Sequence, residues 1–276
     1  MRHAIFLPLF GELAEPALAA DLAAEAEAAG WDGVFVWDHT IYRPPVTHIA
    51  DPWVAMAAMA CATERVLLGP LVTPLSRRRP EVVARASTTL DRLSDGRFVM
   101  GVGLGSDKSR ELSAFGEELD DRARARLLDE ALDVLVALWS GEEVQHDGPA
   151  YRADGVRFLP TPVRRRIPVW VASRYPARPP LRRAARHDGL FPIDLDRPDQ
   201  LRELLEVMSA HRAPQGPEAP DGPAHRPFDV VVEAPPGARA DEWEAAGATW
   251  WLAGFDQFTI TAAVVRSAIA AGPPGL

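Results

Sequence analysis

Asp38 and His39 stand side by side directly after the apolar run GVFVW, at residues 33–37. A neighbouring carboxylate can orient an imidazole and let it give or take a proton, general acid–base chemistry worth about 10²–10⁴ in rate. A helix-capping Asp beside a hydrogen-bonded His uses the same two residue types, and the sequence leaves both readings open. Leu71-Val72-Thr73-Pro74 closes another apolar run and is followed by Ser76 and by Arg77-Arg78-Arg79. Such arginines can grip an anionic tail with paired hydrogen bonds, or form a solvated charge run. Arg164-Arg165-Arg166 precedes an apolar run instead of following one, and reads as solvated surface.

Gly101-Val102-Gly103-Leu104-Gly105-Ser106 imitates a dinucleotide fingerprint. Its third glycine falls one position early, it lies mid-chain, and a polar stretch follows it where a helix is required. What survives is a glycine-rich strand end that lets a flat ring or a phosphate approach the backbone. His3, His48, His146, His187, His211 and His225 form no metal-binding spacing, so no metal site is expected. The chain has no G-x-S-x-G elbow and no G-x-x-x-x-G-K-[ST] loop, which leaves hydrolase and nucleotide-hydrolase readings without their parts.

Thirty Lys+Arg against 39 Asp+Glu give a net charge of −9, the wrong sign for a nucleic-acid footprint. Lys108 is the sole lysine, a bias of composition more than of chemistry. One cysteine, Cys61, excludes an internal disulfide framework and fits a reduced compartment. The apolar run after Met1-Arg2-His3 is too short for a secretory signal, and no stretch approaches a membrane span. A cytoplasmic protein without membrane or nucleic-acid partners is expected, acting on a small-molecule substrate.

The elements that must position these residues alternate between two periods. Apolar strand runs are expected at 4–9, 33–37, 66–72, 98–103, 168–172, 189–193, 229–233 and 249–252. Helical segments lie between them, at 15–29, 51–62, 80–93, 123–139, 181–186, 198–212, 240–246 and 258–271. Asp51-Pro52 is a helix start by type, a capping acid before a proline at the first helical position. Residues 107–163 form an insertion after strand four, with a hairpin over 142–162. The Pro-rich stretch 213–227 reads as a mobile loop within one domain, 1–276. Eight β-then-α units imply parallel strands with right-handed crossovers, best closed as a (β/α)8 TIM barrel, with an open doubly wound sheet as the alternative. In a barrel the chemistry belongs to the loops after the strands, which is where Asp38, Thr73, Gly105 and Ser173 fall.

The run from Asp51 to Gly105, DPWVAMAAMACATERVLLGPLVTPLSRRRPEVVARASTTLDRLSDGRFVMGVGLG, resembles the bacterial luciferase-like monooxygenase family. Ala114-Phe115-Gly116, RARLLDEALDVLVALWSGEEV and FLPTPVRRRIPVWVAS carry the same resemblance. It is greatest to the short branch that uses the deazaflavin coenzyme F420, and it covers roughly residues 30–195. It implies a TIM barrel with the cofactor ring across the mouth formed by the strand ends. By the same resemblance, Asp38 and His39 contact the ring and the reacting centre, and a non-proline cis peptide at Leu71–Val72 bulges against the ring. Gly103, Leu104, Gly105 and Ser106, with Ala172, Ser173 and Arg174, match positions lining the ring and its phosphate. Helices on the barrel flank commonly dimerise in the family, so a homodimer is implied.

Three positions depart from the family pattern. Pro70 stands where Thr is frequent, Ser173-Arg174-Tyr175 replaces a pair of glycines, and Ser106 stands where some dehydrogenases carry an acid. The resulting expectation is a flavin- or deazaflavin-dependent oxidoreductase performing two-electron hydride transfer or monooxygenation on a small organic substrate. Asp38 would steer His39 in that reaction. Coenzyme F420 is expected over FMN because Arg77, Arg78, Arg79 and Arg174 would meet the carboxylates of its tail. The alternative is a cofactor-binding or catalytically degenerate barrel, in which the turn at 173–175 blocks the phosphate.

Overall fold

The computed structural model describes residues 1–211 and 228–274. The Pro-rich stretch 213–227 lies outside the described residues. The chain opens with β1 (Arg2–Leu7), α1 (Pro16–Ala28), β2 (Gly33–Val36), α2 (Pro52–Ala62), β3 (Leu67–Pro70), β4 (Thr73–Pro74) and α3 (Pro80–Leu93). It continues through β5 (Met100–Gly103), α4 (Asp121–Trp139), β6 (Glu143–Asp147), β7 (Arg152–Arg157), β8 (Val169–Arg174), α5 (Pro179–Ala184) and β9 (Gly189–Ile193). The last elements are α6 (Pro198–Ser209), β10 (Asp229–Ala234), α7 (Ala240–Ala245), β11 (Trp250–Ala253) and α8 (Ala262–Ala271).

The parallel sheet runs β3-β2-β1-β11-β10-β9-β8-β5-β4. Its ends meet where Leu68 pairs in parallel with Phe98 and accepts the Val99 amide at 2.9 Å. The sheet is therefore a closed barrel, and the open doubly wound alternative is set aside. β3 and β4 are two halves of one stave, so the nine segments make eight staves. The expected strand 66–72 is broken at Leu71, whose side chain turns into the barrel while Thr73 rejoins the sheet beside Val102. The expected insertion 107–163 contains a barrel helix, since α4 packs on α3 and Trp139 Nε1 donates to Ser87 Oγ at 3.0 Å. The excursion proper is the loop before α4 and the β6–β7 hairpin after it.

Side chains alternate along each stave between two apolar layers, as a pleated wall requires. Ala4, Phe6, Phe35, Trp170, Phe191, Val231 and Trp250 fill the barrel, while Ile5, Leu7, Val34 and Trp251 pack against the helices. The helices begin as their sequence dictates. Asp51 caps α2 by accepting the amides of Trp53 and Val54 at 2.9 and 3.0 Å, and Asp120 caps α4 through Ala123 at 2.8 Å. The barrel floor, at the strand starts, is plugged: Arg2 lies 4.2 Å over the Trp250 ring and donates to Asp229 at 2.7 Å, and Trp250 Nε1 donates to Asp229 at 3.0 Å. Of the floor arginines after the hairpin, Arg166 pairs with Asp188 at 2.5 Å, while Arg164 and Arg165 are exposed. Cys61 is a free, exposed thiol. Among the described residues no helix is long and apolar enough to cross a membrane.

Candidate active site

β2 ends below the mouth and delivers Trp37, Asp38 and His39 to it. The Asp38 side chain is fully buried and accepts from Thr73 Oγ1 at 2.8 Å, Arg77 Nη2 at 3.0 Å and Arg78 Nη2 at 2.7 Å. Those bonds engage both of its oxygens. Asp38 does not hold His39, contrary to expectation, because its carboxylate is spent anchoring the segment after β4. His39 Nδ1 instead meets Glu111 Oε2 at 2.7 Å, a partner 72 positions away in the loop before α4.

Glu111 closes the network. Its Oε1 accepts the Thr40 amide at 2.6 Å and Arg77 Nη1 at 3.2 Å, and Arg77 also donates to Thr40 Oγ1 at 2.5 Å and to the Asp38 carbonyl at 2.8 Å. Burial alone would raise the Glu111 pKa. The hydrogen bond and charge of His39, then Arg77 and the Thr40 amide, outweigh it and hold the carboxyl below its ordinary value. Arg77 is thus buried between two carboxylates, with its side chain 6% exposed. Nδ1 of His39 is occupied, and no bond engages its Nε2 among the described residues. An aromatic wall surrounds the ring, with Tyr42 at 4.9 Å, Trp37 at 5.7 Å and Phe10 at 5.8 Å between centroids. Trp37 Nε1 is buried without a partner.

The remaining expected positions divide into those that face the mouth and those that do not. The Leu71–Val72 peptide is cis, as the resemblance implies, with Leu71 buried in the barrel and Val72 half-buried at its rim. Thr73 is buried, and its hydroxyl serves Asp38. A Cβ on Gly103 would lie 2.6 Å from Val72 Cγ2, so this glycine admits the Val72 bulge. Leu104, Gly105 and Ser106 are half-buried, with Gly105 at φ +73°. No acceptor among the described residues meets their amides. Successive free amides around a left-handed residue form a concavity suited to an anion. Ala172 is half-buried beside this turn. Ser173 is buried, and its Oγ donates to the Ala177 carbonyl at 3.0 Å. The Ser173 side chain therefore folds onto its own loop instead of projecting into the mouth.

The arginines do not form the free patch expected for an anionic tail. Arg77 and Arg78 are bound to Asp38, Arg79 to Glu81 at 3.0 Å, and Arg174 to Asp194. The acidic chain neutralises each of them locally. Two carboxyls at the mouth, Glu111 and Glu233, escaped the sequence reading. Glu111 is one acid in an acidic run, distinguished by the buried Leu112 that follows it. Glu233 stands one residue before the end of an apolar strand, on the face where chemistry is expected, a signal that was available.

A closed (β/α)8 barrel whose mouth carries a carboxylate-backed histidine, a bulged third stave and a glycine turn with free amides is the class that the fold and geometry define. Residues 1–272 match the luciferase-like monooxygenase family, and the chain belongs to it. Over 166 residues it is 34% identical to the F420-dependent glucose-6-phosphate dehydrogenase of Nakamurella multipartita, covering 59% of this chain and 48% of that one. Over 159 residues it is 39% identical to the enzyme of the same description from Beutenbergia cavernae, covering 55% and 45%. The chain thus matches about half the length of these curated relatives. Among solved structures, the coenzyme F420 dependent tetrahydromethanopterin reductase from Methanopyrus kandleri shares the fold at TM-score 0.75 and 15% identity, over 98% of this chain and 96% of that one. Monooxygenase RslO1 from Streptomyces bottropensis aligns at TM-score 0.67 and 25% identity, over 85% and 71%.

Proposed function

We propose that this protein is a deazaflavin-dependent oxidoreductase, using coenzyme F420 with FMN as the alternative, and acting on a small organic substrate. The observation that carries the proposal is the His39–Glu111 pair, which fixes the ring through Nδ1 and leaves Nε2 at the mouth. The residues fit the group: the free amides of Leu104, Gly105 and Ser106 suit its phosphate, and the aromatic wall and the Val72 rim suit a flat ring. When bound, the cofactor supplies two-electron hydride chemistry. His39 holds or moves the substrate's proton at Nε2, Glu111 sets its orientation, and Asp38 acts at one remove by locking Arg77 behind Glu111.

The preference for coenzyme F420 draws its support from the relatives and not from an arginine patch, since those arginines are paired. The test titrates the protein with coenzyme F420 and with FMN at low and high salt. Coenzyme F420 should bind at least tenfold tighter, with only a weak dependence on salt. Alanine at Arg79 or Arg174 should change its affinity less than twofold. Equal or tighter FMN binding overturns the assignment.

A homodimer remains part of the proposal. The groove between α2 and α3, with Val54 and Val82 63% and 62% exposed, offers a second copy an apolar face. Light scattering of the wild type and of V54D/V82D checks it, a dimer that becomes monomeric being the expected result.

A further inference from the structure

The mouth has a second half, formed where β9, β10 and β11 end, and it is built differently. A cavity of about 310 Å³ opens there, floored by Glu233 and Gly254 and walled by Ile193, Leu195, Pro235 and Phe255. Its size suits a small organic group. Glu233 is half-buried and lines the cavity, and no hydrogen-bond donor among the described residues meets its carboxyl. Room for it is made on purpose: a Cβ on Gly254 would lie 2.3 Å from Glu233 Oε1. The glycine and the acid therefore form one device, a carboxyl lodged against bare backbone and facing a void.

The charges around that void have one sign. Asp194 follows β9 and is paired with Arg174 of β8, and Asp256 follows β11 and caps the amides of Phe258 and Thr259 at 2.8 and 3.2 Å. No Arg, Lys or His lines the cavity among the described residues. A phosphate or carboxylate placed there would face unpaired negative charge in a partly dry site, which is costly. Burial, helped by the charge of Asp194, pushes the Glu233 pKa up to about 7, the mark of an acid without a counter-charge.

We propose that the cavity over Glu233 is a recognition site for an organic ammonium group, so that the substrate of the proposed oxidoreductase is an amine and not a sugar phosphate. An ammonium supplies the missing donor and the missing charge together, and its alkyl part meets Ile193, Leu195 and Phe255. The site rests on the oxidoreductase reading only for its role in turnover, since the binding itself needs no cofactor.

The experiment measures binding to the cofactor-free full chain by NMR titration, with isobutylammonium, isobutanol and glucose 6-phosphate as probes at pH 8. Isobutylammonium should bind at least tenfold tighter than isobutanol, and glucose 6-phosphate should not displace it. Glu233→Gln, an isosteric change, should erase the preference, and Gly254→Ala should weaken it by crowding the carboxyl. At pH 5.5, with Glu233 protonated, wild-type affinity for the ammonium should fall about tenfold. Equal binding of amine and alcohol, a preference that persists in Glu233→Gln, or displacement by the sugar phosphate would overturn the site. Coenzyme F420 affinity, followed separately, judges the cofactor reading: its failure beside an intact amine preference leaves the site standing.

Discussion

Asp229 and Glu233 lie near opposite ends of β10 and answer the same problem in opposite ways. Both are half-buried, and partial loss of water raises the pKa of each. At the floor, Asp229 is given Arg2, Trp250 and Thr249 as partners, and the barrel there is a closed plug. At the mouth, Glu233 is given a glycine and a void. One strand thus spans the difference between a face that holds the fold together and a face kept ready for a ligand. The mouth repeats the contrast sideways. Asp38 and Glu111 are saturated with donors on the β2–β4 side, while Glu233 is bare on the β9–β11 side.

If partners make the difference, removing a saturated carboxylate should be expensive. Asp38→Ala should have the largest effect, because it strips half-buried Arg78 of its counter-charge and leaves buried Arg77 with Glu111 alone. Breaking one partner out of a buried ion pair costs about 3–5 kcal/mol. Urea unfolding should show that loss, and coenzyme F420 affinity should fall with it as Arg77 loosens Glu111. Unaltered stability would mean that the network is ornamental.

Asp229→Ala should cost less, about 1–3 kcal/mol, the range for stranding buried donors. Arg2 is about half exposed and can turn to water, whereas Trp250 Nε1 cannot. The same unfolding measurement checks it, and binding at the mouth should be unchanged once the protein is folded.

The fold was legible because alternating periods of strand and helix are written locally. Asp51-Pro52 and Pro80 start helices where expected, and each of the eight staves overlaps an apolar run in the sequence. Local patterns could not show that the third stave breaks at Leu71, because the seven apolar-to-small residues 66–72 read as unbroken strand. At the site, His39 was legible from its type and its place after a strand. Its partner was not. Adjacency favoured Asp38, but its carboxylate is taken up by Thr73, Arg77 and Arg78, and the ring finds Glu111 through the fold. The arginines failed for a related reason, since sequence shows a run of charges and not the carboxylates that fold against them.

The smallest effect concerns stability against pH, and it separates the two ends of β10 most sharply. Glu233 has a folded-state pKa of about 7 against an ordinary 4.5. Between those values the folded protein holds a proton that the unfolded chain has released. Stability from this group is therefore full below about pH 4.5 and is lost as pH rises through 7. Glu233→Gln removes the titration, so its thermal midpoint should equal the wild type's near pH 5 and exceed it at pH 8. Discounted for water reaching the cavity, the gain should be about 1–2 kcal/mol, or several degrees for a chain of this size. Asp229→Asn offers the internal control. Its pKa is raised in the same direction even with Arg2 and Trp250 as partners, so the variant should be less stable through its weaker bonds to them, with a deficit smaller at pH 8 than at pH 5. A Glu233→Gln midpoint below the wild type's at pH 8 would show that Glu233 has a partner in the folded protein, and the contrast along β10 would fail.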